Sequence, residues 1–522
     1  MKVSPLLILF WLFILVFVVA LVTDAAPTLR GDAPWIPPEG RWEWEHVSLP
    51  GIATLAPPAL GVALYTVGAW WLLRANHTRH LVLWAYIGAA LIPLLLMTIE
   101  AGPLFLLFTR SASTITGGYQ YASAMISDFG AALRDWRAFT DSFIEETSQS
   151  GGIVLSPPGL VALYEGSSGL FAAIPPAARQ FADIVRPLQC QNLRMMAWPD
   201  ADLASAWMQM FMPLWAGLGV APLHRLGTML FDRQRARLAV ALWPLVPGLA
   251  LFQPRFNVFY AVLMLVMLLS LWRGLLNNRV RWIVLSGWIL SVGLLMNLSL
   301  VPLGLLAGLI ILGIRLLLDR APVRARSVDR AAFRLAARDL MAFGAGVAST
   351  WLLHWALSGQ SPLKLLRDGF IQHADLYYRP YLPWLFMHPY DMFLFVGWPV
   401  TLLALWRVIR LVRRIPGTPL SRADVFTGAA ALSLLILVLS GTARGETGRV
   451  WLFFAPVWLL LAADILAEPR LLSALSPRAV AHILAMQAIV LLGMAAVLRT
   501  SFTALTKPIR VADAATAPTY PV

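Results

Sequence analysis

A single cysteine, Cys190, stands in 522 residues, which excludes an intrachain disulfide and argues against a cysteine-based metal site. Charge is scarce too: Asp, Glu, Lys and Arg make up 13% of the chain, too little to clothe a soluble protein of this length. The chain also lacks a Gly-rich phosphate loop, a serine nucleophile elbow and an HExxH motif. No fixed-period repeat or low-complexity linker divides it. What it has in abundance is apolar residues, at 59%. These describe an all-α polytopic membrane protein.

The net charge of +14 would point to nucleic acid in a soluble protein. Here the arginines gather in short clusters between apolar runs, the signature of cytoplasmic loops. A nucleic-acid partner is therefore rejected. The N-terminal apolar run, ending near Thr23, exceeds the core of a secretory signal and reads as an uncleaved signal-anchor span.

Spans are expected at Pro5–Thr23, Leu55–Leu73 and Leu81–Thr98. Ten more follow at 203–221, 238–252, 257–272, 281–296, 299–318, 339–357, 391–409, 425–440, 450–466 and 480–498, which makes thirteen. The stretch Glu100–Asp202 decides the topology. If Gly159–Ile174 crossed the bilayer, the basic cluster Arg233–Arg237 and every later one would face outward. If it lies on the membrane, the clusters Arg233–Arg237, Arg273–Arg281, Arg320–Arg338, Arg407–Arg414 and Arg470–Arg478 all face inward. Interruption by Glu165, Gly166, Ser167, Ser168 and Gly169 also makes this run a poor span. Glu100–Asp202 is thus read as one extracytoplasmic loop carrying interfacial helices. The inner loops are short and basic, so the chemistry is expected outside.

Several outward residues could carry that chemistry. Arg444, Glu446 and Arg449 sit in the tight connection Gly441–Trp451, where guanidinium forks at headgroup depth suit a lipid-linked phosphate. Snorkelling and a turn-closing Arg–Glu pair explain them equally well. The turn FQPRFN presents Arg255 and Asn257, the latter as a substrate-positioning group or a plain cap. In HADLYYRPYLPWLFMHPYD, Trp384 reads as an interfacial belt residue, while His373, Asp375, Tyr378, Arg379 and Asp391 invite a functional reading. Their spacing matches no metal motif. Among the carboxylates, Asp128 follows Tyr119 and Tyr121 in apolar surroundings, where it could act as general base or simply cap a helix. Glu100 at the outer end of the third span and Asp32 in the first loop are the other two candidates.

The order of these features resembles the GT-C superfamily of membrane glycosyltransferases. The branch is that of protein mannosyltransferases and aminoarabinose transferase (glycosyltransferase family 39-like). The corner LSPPGLVALY matches a Pro-Pro corner that opens the family's second interfacial helix. A basic turn, LHRLGTMLFDRQRARLA, and the segment RGETGRVWLFFAP also look like family segments. The resemblance covers roughly Leu81–Trp272 and 441–456. It divides the chain into a two-span N-terminal addition (1–80), a core (81–320, with outer loop 100–202) and a C-terminal region (321–522, with outer loop 358–390).

The resemblance implies inverting transfer of a sugar from a polyprenyl-phosphate donor to a lipid, glycan or protein acceptor. This would take place on the extracytoplasmic face of a bacterial-type plasma membrane. Arg444 and Arg449, joined by Arg255, would hold the donor phosphate. Asp128 would deprotonate the acceptor, and Tyr119, Tyr121 and Tyr378 would line the sugar site. The cofactor stays open, a divalent metal included. The chain departs from the family pattern in three places: no acid stands near Gly117–Gly118, Ser156 precedes the Pro pair, and Asn257 replaces an Asp. Either Asp128 has taken over as base, Asp32 reaches in, or activity is lost. The alternatives are a non-catalytic scaffold of the same fold and a lipid or solute transporter. Transporters carry ionisable groups at mid-span, whereas polarity here collects on one face.

Overall fold

The computed structural model describes residues 5–114, 117–147, 152–153, 156–189, 192–318, 330–376, 380–415, 419–443, 445–468 and 478–500, without the side chains of 39 and 374–376. Among them, helices dominate, and the one sheet joins two two-residue strands, Glu45–His46 and Leu498–Arg499. Eight helices are long and apolar enough to cross a bilayer: Pro5–Val22, Ile52–Arg74, Thr78–Met97, Phe256–Leu276, Leu298–Leu318, Arg330–Ser358, Arg422–Ser440 and Ala479–Val497. Leu9, Val16 and Val19 on the first of them are more than half exposed. Apolar surface of that kind needs lipid rather than water around it. The protein is an all-α polytopic integral membrane protein.

The expected crossings are not all continuous helices. Val280–Met296 and Leu452–Leu466 are shorter apolar helices. The stretch 203–221 is a chain of short helices, and 238–252 is broken around Pro244 and Pro247. The expected span 391–409 is corrected more sharply. Its residues belong to Tyr381–Val396 and Trp398–Arg414, which meet at a 119° bend. Gly397 makes the corner with φ of 95°, and a Cβ there would lie 2.1 Å from Nε2 of Gln487. Asp391 therefore sits within the first arm, not at the mouth of a straight span.

The two sets of loops segregate to opposite ends. At one end Trp44 meets Asp391, Glu100 approaches Arg499, and Asn257 meets Arg449. At the other, Arg235 and Arg407 share Asp464, Arg407 also holds Asp424, and Arg315 pairs with the fully buried Asp339. Each buried carboxylate there has a guanidinium partner, as burial of charge demands. Gly159–Ala172 is a 14-residue helix that belongs to the first end. It packs beside Val280–Met296, so close that a Cβ at Gly159 would meet the Leu295 carbonyl oxygen at 2.4 Å. The Glu100–Asp202 segment packs Leu106, Phe108 and Val185 into a small core shared with Met97 and Leu203 of its flanks.

Val280–Met296 and Arg330–Ser358 approach closely through small residues. A Cβ on Gly287 would lie 2.1 Å from the Phe343 carbonyl oxygen, and one on Gly346 2.2 Å from that of Val284. Backbone cannot yield as a flexible side chain does, so the helices must part. Gly346→Val is expected to destabilise the protein by about 2 kcal/mol. A fall in thermal midpoint of the detergent-purified protein checks this; an unchanged midpoint would contradict the contact.

Candidate active site

The cis Gln253–Pro254 turn delivers Arg255 to the start of the helix Phe256–Leu276, and Asn257 follows in its first turn. Arg255 is buried, and burial pushes its guanidinium down, to about 9. Arg449 and Arg110 push in the same direction, while Glu446 opposes them. Arg449 donates from Nη1 to Oδ1 of Asn257 at 3.3 Å and from Nη2 to Glu446. Glu446 adopts the left-handed backbone with φ of 49°, which folds the 441–451 connection tightly enough to bring its carboxylate back onto Arg449.

A second pair adjoins the first. Arg110, 3% exposed, donates to Glu100 at 2.7 Å and to the Gln253 carbonyl oxygen at 3.2 Å. Arg499 approaches the same Glu100 at 3.9 Å, and its Nη1 is buried with no hydrogen-bond partner among the described residues. Arg499 is held there by the strand pairing that sets Glu45 opposite it. Among the described residues the cluster thus holds four guanidinium groups, on Arg110, Arg255, Arg449 and Arg499, against the carboxylates of Glu100 and Glu446, an excess of two positive charges.

Tyr119 forms the adjoining wall. Its hydroxyl lies 3.1 Å from Oγ of Ser156, and its ring is edge-on to Phe256 at 6.3 Å. Burial raises its phenol above the ordinary range, while Ser156 and the cations Arg449 and Arg255 pull it back. The Pro-Pro corner therefore positions Ser156, which orients Tyr119 and donates onward to the Gly152 carbonyl oxygen at 2.7 Å.

The first loop closes over this end. Trp42 lies against Gly445, and Trp44 donates to the buried Asp391 at 2.7 Å. Asp391 also accepts from the Thr447 hydroxyl at 3.1 Å and the Gly448 amide at 2.8 Å. A carboxylate read from sequence as an outward candidate is thus a buried clasp between the first loop and the 441–451 connection.

Other expected residues lie elsewhere. Asp128 is the N-cap of the helix Phe129–Arg134, accepting from the Ala131 amide at 3.0 Å, with its side chain 63% exposed. Among the described residues its ion-pair contact is Arg134 at 3.7 Å, and the capping role accounts for it. Asp32 is half-buried in the turn that follows Arg30. Tyr121 packs on Trp198 with Arg194 over its ring, inside the core of the long loop. His373 donates from Nε2 to the Thr442 carbonyl oxygen at 2.6 Å, bracing the connection from outside. Arg444, Tyr378 and Arg379, with the Asp375 side chain and Cys190, lie outside the described residues. Arg110 and Arg499 are the members that sequence reasoning passed over. For Arg499 the signal was a basic residue directly after a span read as leading outward, against the charge rule.

Among the described residues, no three His, Cys, Asp or Glu side chains gather as metal ligands would.

No protein-family model and no curated protein matches the chain. Among solved structures it is similar to the Archaeoglobus fulgidus oligosaccharyltransferase complexed with zinc and sulfate, with a TM-score of 0.38 at 11% identity. The match covers 76% of this chain and 53% of that one, so the chain spans about half the length of that protein.

Proposed function

We propose that this protein is a membrane glycosyltransferase of GT-C type that uses a polyprenyl-phosphate sugar donor. The observation that carries the reading is the buried arginine cluster, whose positive charge exceeds its carboxylates at the end of the bundle where the long loop, the Arg255 turn and the 441–451 connection converge. A buried excess of cations favours an anion, and the planar fork of arginine suits a phosphate. Arg255 and Arg449 bind the donor phosphate, with Arg499 and Arg110 adjoining. The acceptor oxygen forms a bond to the anomeric carbon as the bond from that carbon to the phosphate oxygen breaks. Polyprenyl phosphate leaves with the bonding electrons, and the guanidinium groups neutralise the charge that grows on it. The acceptor hydroxyl gives its proton to a carboxylate. Tyr119, with its ring edge near Phe256, walls the sugar.

For the base we choose Glu100 over Asp128, because Glu100 shares the cluster and Asp128 is an exposed helix cap. Glu100→Gln is expected to lower transfer by about a hundredfold, the usual contribution of a general base. Asp128→Asn should leave it within a few-fold. Both are measured as label passing from a radiolabelled polyprenyl-phosphate sugar into a lipid, glycan or protein fraction of purified membranes. The reverse order of effects would return the role to Asp128.

A further inference from the structure

At the opposite end of the bundle lies a cavity of about 450 Å³, bounded by the end of Ile52–Arg74, the start of Arg233–Leu242 and the start of Ala479–Val497. Its polar lining is Arg74, Arg237, Arg478 and Gln234, and no carboxylate lines it among the described residues. Arg237 is the buried member, 6% exposed. Its Nη2 donates to the carbonyl oxygens of Leu72 and Leu73, at 2.9 and 2.8 Å, and its Nη1 donates to Asn76. Its Nε is buried and has no hydrogen-bond partner among the described residues. Arg237 thus brings a guanidinium charge to the cavity wall with no carboxylate beside it among the described lining residues.

Two further features favour an anion. The 19-residue helix Ala479–Val497 begins here with no side-chain cap on its first amides, so its positive end is open where Val480 lines the cavity. Arg74 and Arg478 are exposed and add two guanidinium charges at the rim. The remaining lining is apolar: Trp70, Leu73, Leu238 and Val480, with Arg74 lying over the Trp70 ring at 5.1 Å. Polar groups of one sign beside apolar walls match a molecule with a phosphate at one end and hydrocarbon at the other.

We infer that this cavity binds a phosphate-bearing group, with Arg237 as its floor and Arg74 and Arg478 as its rim. A membrane phospholipid headgroup and a free phosphate share that chemistry; the apolar walls and the volume favour the lipid. The inference does not rest on the glycosyltransferase reading, since none of these residues belongs to the arginine cluster at the other end.

The test uses full-length protein in detergent, titrated with phosphatidylglycerol, phosphatidylcholine or inorganic pyrophosphate, and read by native mass spectrometry and thermal midpoint. Phosphatidylglycerol is expected to bind in preference to phosphatidylcholine and to raise the midpoint. Arg237→Gln should weaken that binding about tenfold, as loss of a charge-assisted contact does. Arg237 also holds two backbone carbonyls, so the rim variant Arg74→Gln/Arg478→Gln, expected to fold normally, provides the second reading with a similar loss. If pyrophosphate binds in competition with phosphatidylglycerol, equally tightly and with the same variant dependence, the phosphate site stands and its ligand is a free anion. Equal binding of the two lipids with no response to pyrophosphate, or binding that neither variant weakens, overturns the proposal.

Discussion

Replacing Arg449 by alanine is expected to lower transfer from a polyprenyl-phosphate sugar by at least about a hundredfold, the scale on which loss of a charge-stabilising donor acts. Arg449 joins two elements of the site, bonding Asn257 across at the Arg255 turn and Glu446 within its own connection. On the proposed reading its removal takes a cation from the phosphate site and leaves Glu446 beside the donor, where it repels the leaving group. Both the Michaelis constant for the donor and the turnover should suffer. Arg449→Lys keeps the charge but not the fork, so it should recover only part of the rate. The measurement is transfer of label in purified membranes, with the thermal midpoint recorded beside it. An Arg449→Ala protein that transfers at the wild-type rate would remove the donor site from this cluster. Loss of transfer with a midpoint that has collapsed would be a folding effect, and Arg449→Lys would separate the two.

The second large effect is on stability. Asp391 is buried and accepts from Trp44, Thr447 and Gly448 at 2.7, 3.1 and 2.8 Å. Asp391→Ala leaves a buried indole N–H, a hydroxyl and an amide without their acceptor. At roughly 1–3 kcal/mol for each unmet group, part of it regained by water, a loss of about 3–5 kcal/mol is expected. The damage should be local as well as global, because the clasp ties the first loop to the 441–451 connection. Hydrogen exchange should speed up in Trp42–Val47 and Thr447–Trp451 ahead of the rest of the protein. Asp391→Asn keeps an acceptor oxygen and should cost less. A variant with unchanged midpoint and unchanged exchange would show that the clasp carries no load.

Much of the architecture was legible in the chain because lipid imposes so few solutions. Backbone amides must be satisfied within a helix, apolar runs must be long enough to cross, and arginine clusters mark the cytoplasmic ends. That is why the eight long helices of the structure were among the thirteen spans read from the chain. The broken stretches were less legible, since hydropathy counts apolar residues and is blind to a corner. Gly397 sits inside an apolar run that averages like a span, yet its positive φ turns the chain by 119°.

The site divides in the same way. Arg255, Asn257, Glu446 and Arg449 announced themselves as polar residues at outward tips, against both hydropathy and the charge rule. Asp128 announced itself equally, and in the structure it caps a helix in solvent. Sequence can tell that a carboxylate lies near the membrane surface, but not which way it faces, because that depends on contacts with elements hundreds of residues away. Arg110 and Glu100 are ten residues apart and could be guessed as a pair. Their junction with Arg499 depends on a strand pairing between residue 45 and the far end of the chain. Composition, patterning and charge determined that this is a helical membrane protein with its polar residues gathered at the ends of its apolar runs. Only the tertiary structure decided which of those residues meet, because pairing across the bundle is set by packing and hydrogen-bond geometry that no local stretch contains.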